Sequence, residues 1–294
     1  MRTYEKLKKK PRIFRQVTGL SIDQVDKLLA QVGEAWNAHH AKQQQSRKRQ
    51  RRPGAGRKPK LALAERLLLT LIYYRTYITQ EFLGFLFGVD KGTACRIIRQ
   101  MSLLFAGIFR IPERKVRINE DEMSDIFVDA TERPINRPKK KQRRSFSGKK
   151  KRHTRKAQII VTRKKTAEAE EGKPKPKQKL RIAVISESTE GKTHDKKLFD
   201  QSRTWIPPEL TGYGDTAYQG TNLKIPKKKP KNGKLTKEEK RENHKLSKKR
   251  IVVEHGIGKM KIWRIAGDRY RNPLRRHTLI LKNVAGLHNR MFSE

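Results

Sequence analysis

Acidic side chains are scarce in this 294-residue chain. It carries 29 Asp and Glu residues against 73 Lys and Arg residues, which gives a formal net charge of +44 at pH 7. A charge this far from zero opposes compaction through self-repulsion and attracts polyanions. The composition therefore predicts a partner with a dense row of phosphates, and nucleic acid is the expected one.

Cysteine and long apolar runs are also nearly missing. The one cysteine, Cys95, excludes an intramolecular disulfide and a Cys-rich zinc site. No apolar run approaches the roughly 18 residues of a membrane span, and the first ten residues lack the apolar core of a secretory signal. We therefore expect a cytoplasmic protein that makes no membrane contact.

Apolar residues are few and unevenly distributed. They make up 34% of the chain, or about 40% with its 19 glycines added, below the roughly 45–50% (glycine included) of an average globular protein. A basic segment without apolar side chains cannot offset the entropy of ordering it. We therefore predict basic loops or arms at 39–60, 133–156 and 224–250, and a solvated hairpin extension at 163–179.

The first half of the chain has the apolar spacing of helices. Between Leu20 and Trp36 apolar residues recur every three or four positions behind a Ser21–Gln24 capping-box pattern, which predicts an amphipathic helix. Its narrow apolar stripe suits either docking on the next domain or a dimer seam. Residues 61–105 then divide into three helices, with breaks at 77–78 and 88–90.

The last two of these three helices have the spacing of a helix-turn-helix. Thr79 and Asp90 are candidate N-caps for them. The third helix is apolar on one face, beside which Cys95 is expected to be a buried, inert thiol. In so basic a chain, DNA contact by its outer face is the favoured interpretation, and a plain three-helix bundle is the alternative. The candidate DNA-binding residues on that face are Lys91, Thr93, Arg96 and Arg99.

The periodicity changes after residue 119. Short β-branched runs predict strands, and longer amphipathic runs near the end predict helices. This mixture predicts an α/β domain in the second half of the chain. The predicted strands are 124–131, 157–162, 180–186 and 210–215, and the predicted helices are 247–261 and 274–291.

Three of the rare acids lie on these apolar elements. Asp129 and Asp215 are at predicted strand ends, and Glu254 is inside a predicted helix. Each alone has an ordinary explanation, as a turn cap or a solvent-facing side chain. As a set in a basic chain they are hard oxygen ligands that suit two Mg²⁺ ions roughly 3.5–4 Å apart, an arrangement that catalyses phosphodiester displacement.

The helix that carries Glu254 adds a second pattern. Arg250, Glu254 and Lys261 are spaced so that they lie along one stripe of the helix. The stripe would present a metal ligand between two phosphate-binding cations. The alternative is an ordinary Arg250–Glu254 ion pair worth about 0.3–0.5 kcal/mol if exposed, which leaves Lys261 unexplained.

Taken together, these motifs resemble those of the bacterial insertion-sequence transposases of the DDE superfamily. The similar segments are FVDATE (127–132), GKTHDKKLF (191–199), GDTAYQG (214–220) and the spacing of Arg250, Glu254 and Lys261. Residues 57–99 also resemble the helix-turn-helix that precedes the catalytic domain in that family. Ser247 stands where the family has a tyrosine, which removes one expected contact with the DNA end.

The resemblance implies a fold and a division of the chain. We expect an α/β RNase H-like catalytic domain, with a mixed five-stranded sheet and flanking helices, preceded by an all-α helix-turn-helix domain. The expected bounds are 1–38 for a basic segment and amphipathic helix, 39–60 for a basic linker, 61–112 for the helix-turn-helix domain and 113–294 for the catalytic domain.

The resemblance also implies roles for single residues. Asp129, Asp215 and Glu254 would be the catalytic and metal-binding triad for two Mg²⁺ ions, with Mn²⁺ able to substitute. Arg250 and Lys261 would contact the transposon end. His194 and Asp195 would be a positioning pair, with a helix N-cap as the alternative for Asp195. Arg57 would enter the minor groove from an arm that precedes the helix-turn-helix, with a flexible linker as the alternative for that segment.

The implied activity is transposition. The protein would bind terminal inverted repeats, cleave the phosphodiester at each end with metal-activated water and join the 3′-hydroxyl to target DNA. The expected partners are double-stranded DNA, as transposon end and as target, and a second copy of the chain, near the nucleoid of a bacterium. The alternatives are a non-catalytic DNA-binding repressor derived from a transposase and an RNA-binding structural protein.

Overall fold

The computed structural model describes residues 3–45, 59–116, 123–164, 180–208, 210–230 and 233–291. The chain divides into two compact units, Met1–Arg110 with Trp263–Ala266, and Ile111–Ile262 with Gly267–Glu294. Arg57 and residues 165–179 of the extension predicted at 163–179 lie outside the described residues, and its first two residues belong to a strand. In the part of the chain that is described, no helix is long and apolar enough to cross a membrane.

The first unit is helical. Its helices are α1 (Thr3–Lys8), α2 (Pro11–Thr18), α3 (Ile22–Gln45), α4 (Leu63–Thr76), α5 (Gln80–Phe87) and α6 (Lys91–Phe109). α4 is apolar on nearly all sides and almost entirely buried, which explains its central place in the unit. Trp263, from a distant part of the sequence, is fully buried in this unit, with the guanidinium of Arg75 5.7 Å from its ring centre.

Helix α3 confirms one prediction and corrects another. The predicted capping box is formed, because the Ser21 N–H donates to the Gln24 side chain and the Gln24 N–H donates to Ser21 Oγ. The helix does not end near Trp36 but continues to Gln45, into the segment predicted as a linker. Packing extends it: the guanidinium of Arg66 lies 4.8 Å from the Trp36 ring, and His40 contacts the same ring.

The α5–α6 pair has the sharp turn of a helix-turn-helix. Both predicted caps are confirmed: Thr79 Oγ1 accepts from the Phe82 N–H at 3.2 Å, and Asp90 Oδ1 accepts from the Thr93 N–H at 2.8 Å. A Cβ on Gly84 would lie 2.5 Å from the carbonyl oxygen of Val89. The close approach of the turn to α5 therefore requires glycine at position 84.

The second unit contains a mixed sheet. Its strands are β1 (Met123–Pro134), β2 (Phe146–Ser147), β3 (Arg152–Lys164), β4 (Leu180–Ile185), β5 (Thr189–Glu190) and β6 (Thr211–Tyr213). β3 pairs antiparallel with β1 on one edge and with β4 and β5 on the other, and β6 is parallel to β1. The described part has six strands, whereas the resemblance implied five and the periodicity predicted four. The periodicity missed β2 and β5 because strands of two residues show none.

Two predicted arms are instead structured. β1 and β3 extend into the segment 133–156, and a short helix, α7 (Gln142–Ser145), lies between them. The segment 224–250 contains the start of α9 (Lys237–Lys261), which begins at a capping box between Thr236 and Glu239. The prediction was wrong because strand ladders and helix caps satisfy the backbone without apolar side chains.

Helices cover both faces of this sheet. The remaining helices of this unit are α8 (Asp195–Ser202) and α11 (His277–Arg290), whereas the short α10 (Arg264–Gly267) belongs almost entirely to the helical unit. Ile126, Val128 and Ile160 form a core with Phe199 of α8 on one face. Phe127 and Tyr213 stack on the opposite face, where the amine of Lys249 in α9 lies 5.2 Å from the Tyr213 ring. Side chains alternate along a strand, so α8 and α9 flank opposite faces.

Candidate active site

Asp129 lies inside β1, not at its end as predicted, and Asp215 lies just beyond the end of the neighbouring parallel strand β6. β1 and β6 pair with Phe127 opposite Tyr213. Continuing that register by two residues brings Asp129 level with Asp215. The stacked rings of Phe127 and Tyr213, 5.4 Å apart, fix the two strands just before these residues. Two residues distant in sequence are thus neighbours because the strands are parallel and in this register.

The surroundings of Asp129 oppose its negative charge. Burial raises the pKa of Asp129 to about 6, and the charge of Asp215 adds to the rise, although a hydrogen bond from the Ala130 N–H and the charge of Arg250 counteract it. Asp215 is partly a turn cap, because its Oδ1 accepts from the Ala217 N–H at 2.7 Å. Neither aspartate forms a salt bridge with a lysine or arginine among the described residues.

Glu254 lies on α9 and lines the same cavity as the two aspartates. The alternative of an Arg250–Glu254 ion pair is not supported, because no such pair is formed in the described part of the chain. Arg250 Nε is buried there without a hydrogen-bond partner. Glu254 is exposed, so its carboxylate is available to a ligand in the cavity.

A cavity of about 800 Å³ brings most of the predicted residues of this unit together. Lysines also line it, including Lys149, Lys150 and Lys192. Partial burial lowers the pKa of the Lys261 amine, and the nearby charge of Lys150 lowers it further. The cavity therefore combines carboxylates with cations that suit phosphate. The predicted residues that line it are Asp129, His194, Asp195, Asp215, Arg250, Glu254 and Lys261.

The carboxylates of Asp129, Asp215 and Glu254 are the type of ligand that divalent cations prefer, although they do not converge on a single position. Within the described residues, no three His, Cys, Asp or Glu side chains are grouped closely enough to hold one metal ion. Asp129 and Asp215 nevertheless supply neighbouring hard oxygen donors, and burial together with the charge of Asp215 raises the pKa of Asp129. Glu254 is on a different element lining the same cavity.

The pair His194 and Asp195 divides into two roles. His194 is the N-cap of α8, with its Nδ1 accepting from the Lys196 N–H at 3.3 Å. The N-cap alternative for Asp195 is therefore wrong, since Asp195 is the first residue of the helix. Asp195 instead accepts a hydrogen bond from Lys156 at 3.0 Å.

Lys156 is a residue that the sequence reasoning missed. Its amine lies 3.1 Å from Glu132 Oε1 and 3.0 Å from Asp195 Oδ1 and donates to the Thr193 carbonyl at 2.9 Å. Its side chain is 9% exposed, although it belongs to a segment predicted as a solvated arm. The available signal was Glu132 within FVDATE, but linking it to Lys156 requires the β1–β3 register, which pairs these two residues.

Tyr218 was also missed as a site residue, although it lies in the GDTAYQG segment. The side chain is fully buried, and its hydroxyl has no hydrogen-bond partner among the residues the structure describes. Burial raises the pKa of Tyr218, and the charges of Asp195, Asp129 and Asp215 raise it further. The hydroxyl is therefore close to the carboxylates and stays protonated.

The candidate DNA-binding residues of the helix-turn-helix belong to the other unit. Lys91, Arg96 and Arg99 are exposed on α6, and Arg96 donates to Thr93 Oγ1 at 2.8 Å. Cys95 is exposed on the same helix, so the expectation of a buried thiol is wrong. Successive residues of an α-helix are rotated by about 100° around its axis. Ala94 faces the core, so the next residue, Cys95, faces outward.

Two family models match separate parts of the chain. Residues 59–109 match a family described as the helix-turn-helix of DDE superfamily endonuclease, and residues 176–289 match a family described as DDE superfamily endonuclease. The second range includes Asp215 and Glu254, and it begins after Asp129.

Two relatives are similar over most of their length. The chain is 33% identical over 250 residues to the probable transposase for insertion sequence element IS702 of Microchaete diplosiphon, covering 82% of this chain and 84% of that protein. It is 29% identical over 248 residues to a transposase inferred for insertion sequence element IS112 of Streptomyces albus G, covering 81% and 86%. No solved structure matches the chain.

Proposed function

Since the chain belongs to the insertion-sequence transposases of the DDE superfamily, we propose that it binds the terminal inverted repeats of its element, hydrolyses the phosphodiester at each end and joins the freed 3′-hydroxyl to target DNA. The second unit would be an RNase H-like catalytic domain over residues 113–294. Residues 61–112 would be the helix-turn-helix domain that precedes it.

The observation that carries this proposal is the pair of aspartates on adjacent parallel strands, Asp129 inside β1 and Asp215 just beyond β6. Asp129 and Asp215 lie level with each other beside an 800 Å³ cavity that Glu254 also lines, and none of the three is paired with a lysine or arginine in the described residues. We assign these three side chains to Mg²⁺ or Mn²⁺. When bound there, divalent cations would activate water and stabilise the leaving 3′-oxygen.

The cations of the cavity would hold the DNA strand. Arg250 and Lys261 flank Glu254 on α9, and Lys150 and Lys192 line the cavity from other elements. These side chains would bind the phosphates around the scissile bond. Water would add to phosphorus as the P–O3′ bond breaks, and the released 3′-oxygen would take up a proton before it attacks target DNA.

Sequence recognition would fall to the helix-turn-helix. Phosphate contacts supply affinity without sequence information, so base reading needs side chains that enter a groove. The exposed side chains of α6, Lys91, Arg96 and Arg99, with Thr93 beside them, suit the major groove. Arg57 would enter the minor groove from the preceding arm. Joining two ends requires two copies of the site, so we expect a homodimer on DNA.

A repressor derived from a transposase is the second candidate. It would need only the helix-turn-helix and would tolerate loss of the carboxylates. The unpaired state of Asp129 favours a catalytic protein, because a largely buried charge without a partner costs stability and is not retained by packing alone. An RNA-binding structural protein does not account for the carboxylates either.

Cleavage of a labelled transposon-end duplex in Mg²⁺ tests the proposal. Asp129→Ala, Asp215→Ala and Glu254→Ala should each lower the cleavage rate by at least about a thousandfold, while binding of the duplex stays close to that of the unmodified protein. Asp200→Ala is the matched control, because Asp200 pairs with Lys196 on α8 and does not line the cavity. Retained cleavage by Asp129→Ala would contradict the assignment.

A further inference from the structure

Five carboxylates line the cavity, not three. The structure adds two side chains to the assigned set, so that the lining acids are Asp129, Glu132, Asp195, Asp215 and Glu254. Hard divalent cations bind any accessible carboxylate, and their affinity rises with the number of charged ligands. A cavity with five equivalent carboxylates would therefore offer a cation several positions, of which only some would serve the reaction.

The five carboxylates are not equivalent, because one buried lysine pairs with two of them. The Lys156 amine lies 3.1 Å from Glu132 and 3.0 Å from Asp195, and its third hydrogen bond goes to the Thr193 carbonyl at 2.9 Å. All three donor positions of the ammonium are thus occupied. Glu132 is held further by Thr154 Oγ1, which donates to its other oxygen at 3.1 Å.

The Lys156 cluster is largely shielded from solvent. The side chains of Lys156 and Glu132 are 9% and 10% exposed, and that of Asp195 is 23% exposed. Lys156 reaches Glu132 because the two residues are directly opposite each other in the β1–β3 ladder. It reaches Asp195 because that residue begins α8, just after Thr193. Strand, loop and helix are therefore joined at a single ammonium group.

The charge of Asp195 affects the assigned metal ligands. Its charge acts on Asp129 as well as on Tyr218. Without Lys156, Asp195 would be a free carboxylate next to Asp129 and would compete for the same cation. Asp129, Asp215 and Glu254 have no such lysine or arginine partner in the described chain.

We propose that Lys156 is a positioning residue: an internal counter-ion that binds Glu132 and Asp195, so that the cavity presents only Asp129, Asp215 and Glu254 to divalent cations. This inference rests on the proposed function, which supplies the cation. The lysine sets where the cation binds, and it makes no contact with the reacting phosphate.

Titration of the metal-free full-length protein with Mn²⁺, by calorimetry and by the electron paramagnetic resonance signal of free Mn²⁺, tests the proposal. Lys156→Gln should bind an additional Mn²⁺ or bind it about tenfold more tightly, because two carboxylates are released. Adding Glu132→Gln and Asp195→Asn to Lys156→Gln should return the isotherm to that of the unmodified protein. Lys156→Arg, which keeps the charge, should match the unmodified protein. An unchanged isotherm for a folded Lys156→Gln variant would overturn the proposal.

Asp195→Asn gives a test that does not depend on the folding of Lys156→Gln. This variant keeps the Lys156–Glu132 pair, so its Mn²⁺ affinity should stay within about threefold of the unmodified value, whereas Asp129→Asn should lose at least about tenfold. If Asp195→Asn loses as much as Asp129→Asn, Asp195 is a metal ligand and the counter-ion role is wrong. If Asp129→Asn has no effect, the proposed function itself fails.

Discussion

The surroundings of the Asp129 carboxylate disfavour its ionised form. Burial and the neighbouring Asp215 raise its pKa, and the opposing hydrogen bond from Ala130 does not restore the ordinary value. Asp125, on the same strand, has the opposite surroundings, because it forms an ion pair with Arg163 at 2.5 Å. Asp125 thus has a partner for its charge, whereas Asp129, which we propose as a metal ligand, has none and should reduce the stability of the metal-free protein.

Asp129→Asn should therefore stabilise the metal-free protein at pH 7, by about 3 kcal/mol for a carboxyl whose pKa is raised from 3.8 to about 6. A raised pKa in the folded state costs stability once the group ionises, so the advantage of the variant should shrink as the pH falls from 6 to 4. Urea unfolding at pH 7, 6 and 4.5, without metal, measures it.

The control for this prediction is Asp125→Asn, which should lower stability at pH 7 because it breaks the ion pair with Arg163. Addition of Mg²⁺ should raise the melting temperature of the unmodified protein and leave that of Asp129→Asn nearly unchanged. Equal or lower stability of metal-free Asp129→Asn at pH 7 would contradict the description of its surroundings.

At the scale of elements, α9 connects the cavity to the sheet. Its buried side is formed by Val252, Val253, Ile257 and Met260, and Glu254 is on its exposed side. The helix lies so close to β3 that a Cβ on Gly256 would be 2.9 Å and 3.1 Å from the two methyl groups of Val161. Because Gly256 has no side chain, α9 can lie this close to β3. We therefore expect Gly256 to determine the position of Glu254 relative to the strands that carry the aspartates.

Gly256→Ala should lower the rate of end cleavage by about 10- to 100-fold, because moving α9 away from β3 displaces Glu254, and small displacements of catalytic groups are costly. Gly107→Ala, at a helical glycine of α6, is the control, since a Cβ there has no atom within 4 Å and Gly107 does not line the cavity. It should keep full activity and gain about 0.5–1 kcal/mol of stability from helix propensity.

The double variant Gly256→Ala/Val161→Ala separates displacement of the helix from a general loss of fold. Removing the Val161 methyl groups makes room for the new Cβ, so activity should rise well above that of Gly256→Ala alone. Equal activity of the single and double variants, or equal damage from Gly256→Ala and Gly107→Ala, would show that the close packing does not set the position of Glu254.

At the scale of the whole molecule, the net charge of +44 is the dominant property. The structure changes how that charge should be understood. Part of it lies in elements with defined backbone, such as β3 and the first half of α9, and part of it lines the cavity as Lys149, Lys150, Lys192 and Lys261. These cations can hold phosphates at fixed positions relative to the carboxylates.

Binding of a transposon-end duplex should weaken by about 10³–10⁵ between 50 and 200 mM salt if 6–10 phosphates are neutralised. Fluorescence anisotropy over that salt range measures the slope. Lys150→Ala and Lys192→Ala should each reduce the slope by about one ion without changing sequence preference, whereas Arg96→Ala should reduce the preference for the end over unrelated DNA. A flat salt response would rule out extensive phosphate contact.

Local patterns in the sequence predicted much of this molecule. The four main strands, the breaks at Tyr77 and Gly88, and the caps formed by Ser21, Thr79 and Asp90 agree with the structure. These features depend on residues a few positions apart, whose effect on the backbone is visible in the sequence. The rare acids on apolar elements were visible in the same way.

Other features depended on which strands became neighbours. The sequence alone did not reveal that 133–156 is largely structured, that Lys156 is buried or that it joins Glu132 to Asp195. A lysine in a basic run has the sequence pattern of a solvated arm, and only the antiparallel ladder brings acceptors to it. The sequence by itself determined which side chains could bind metal and phosphate. The tertiary structure decided which carboxylates remain unpaired, because pairing a buried charge requires a partner from a distant element.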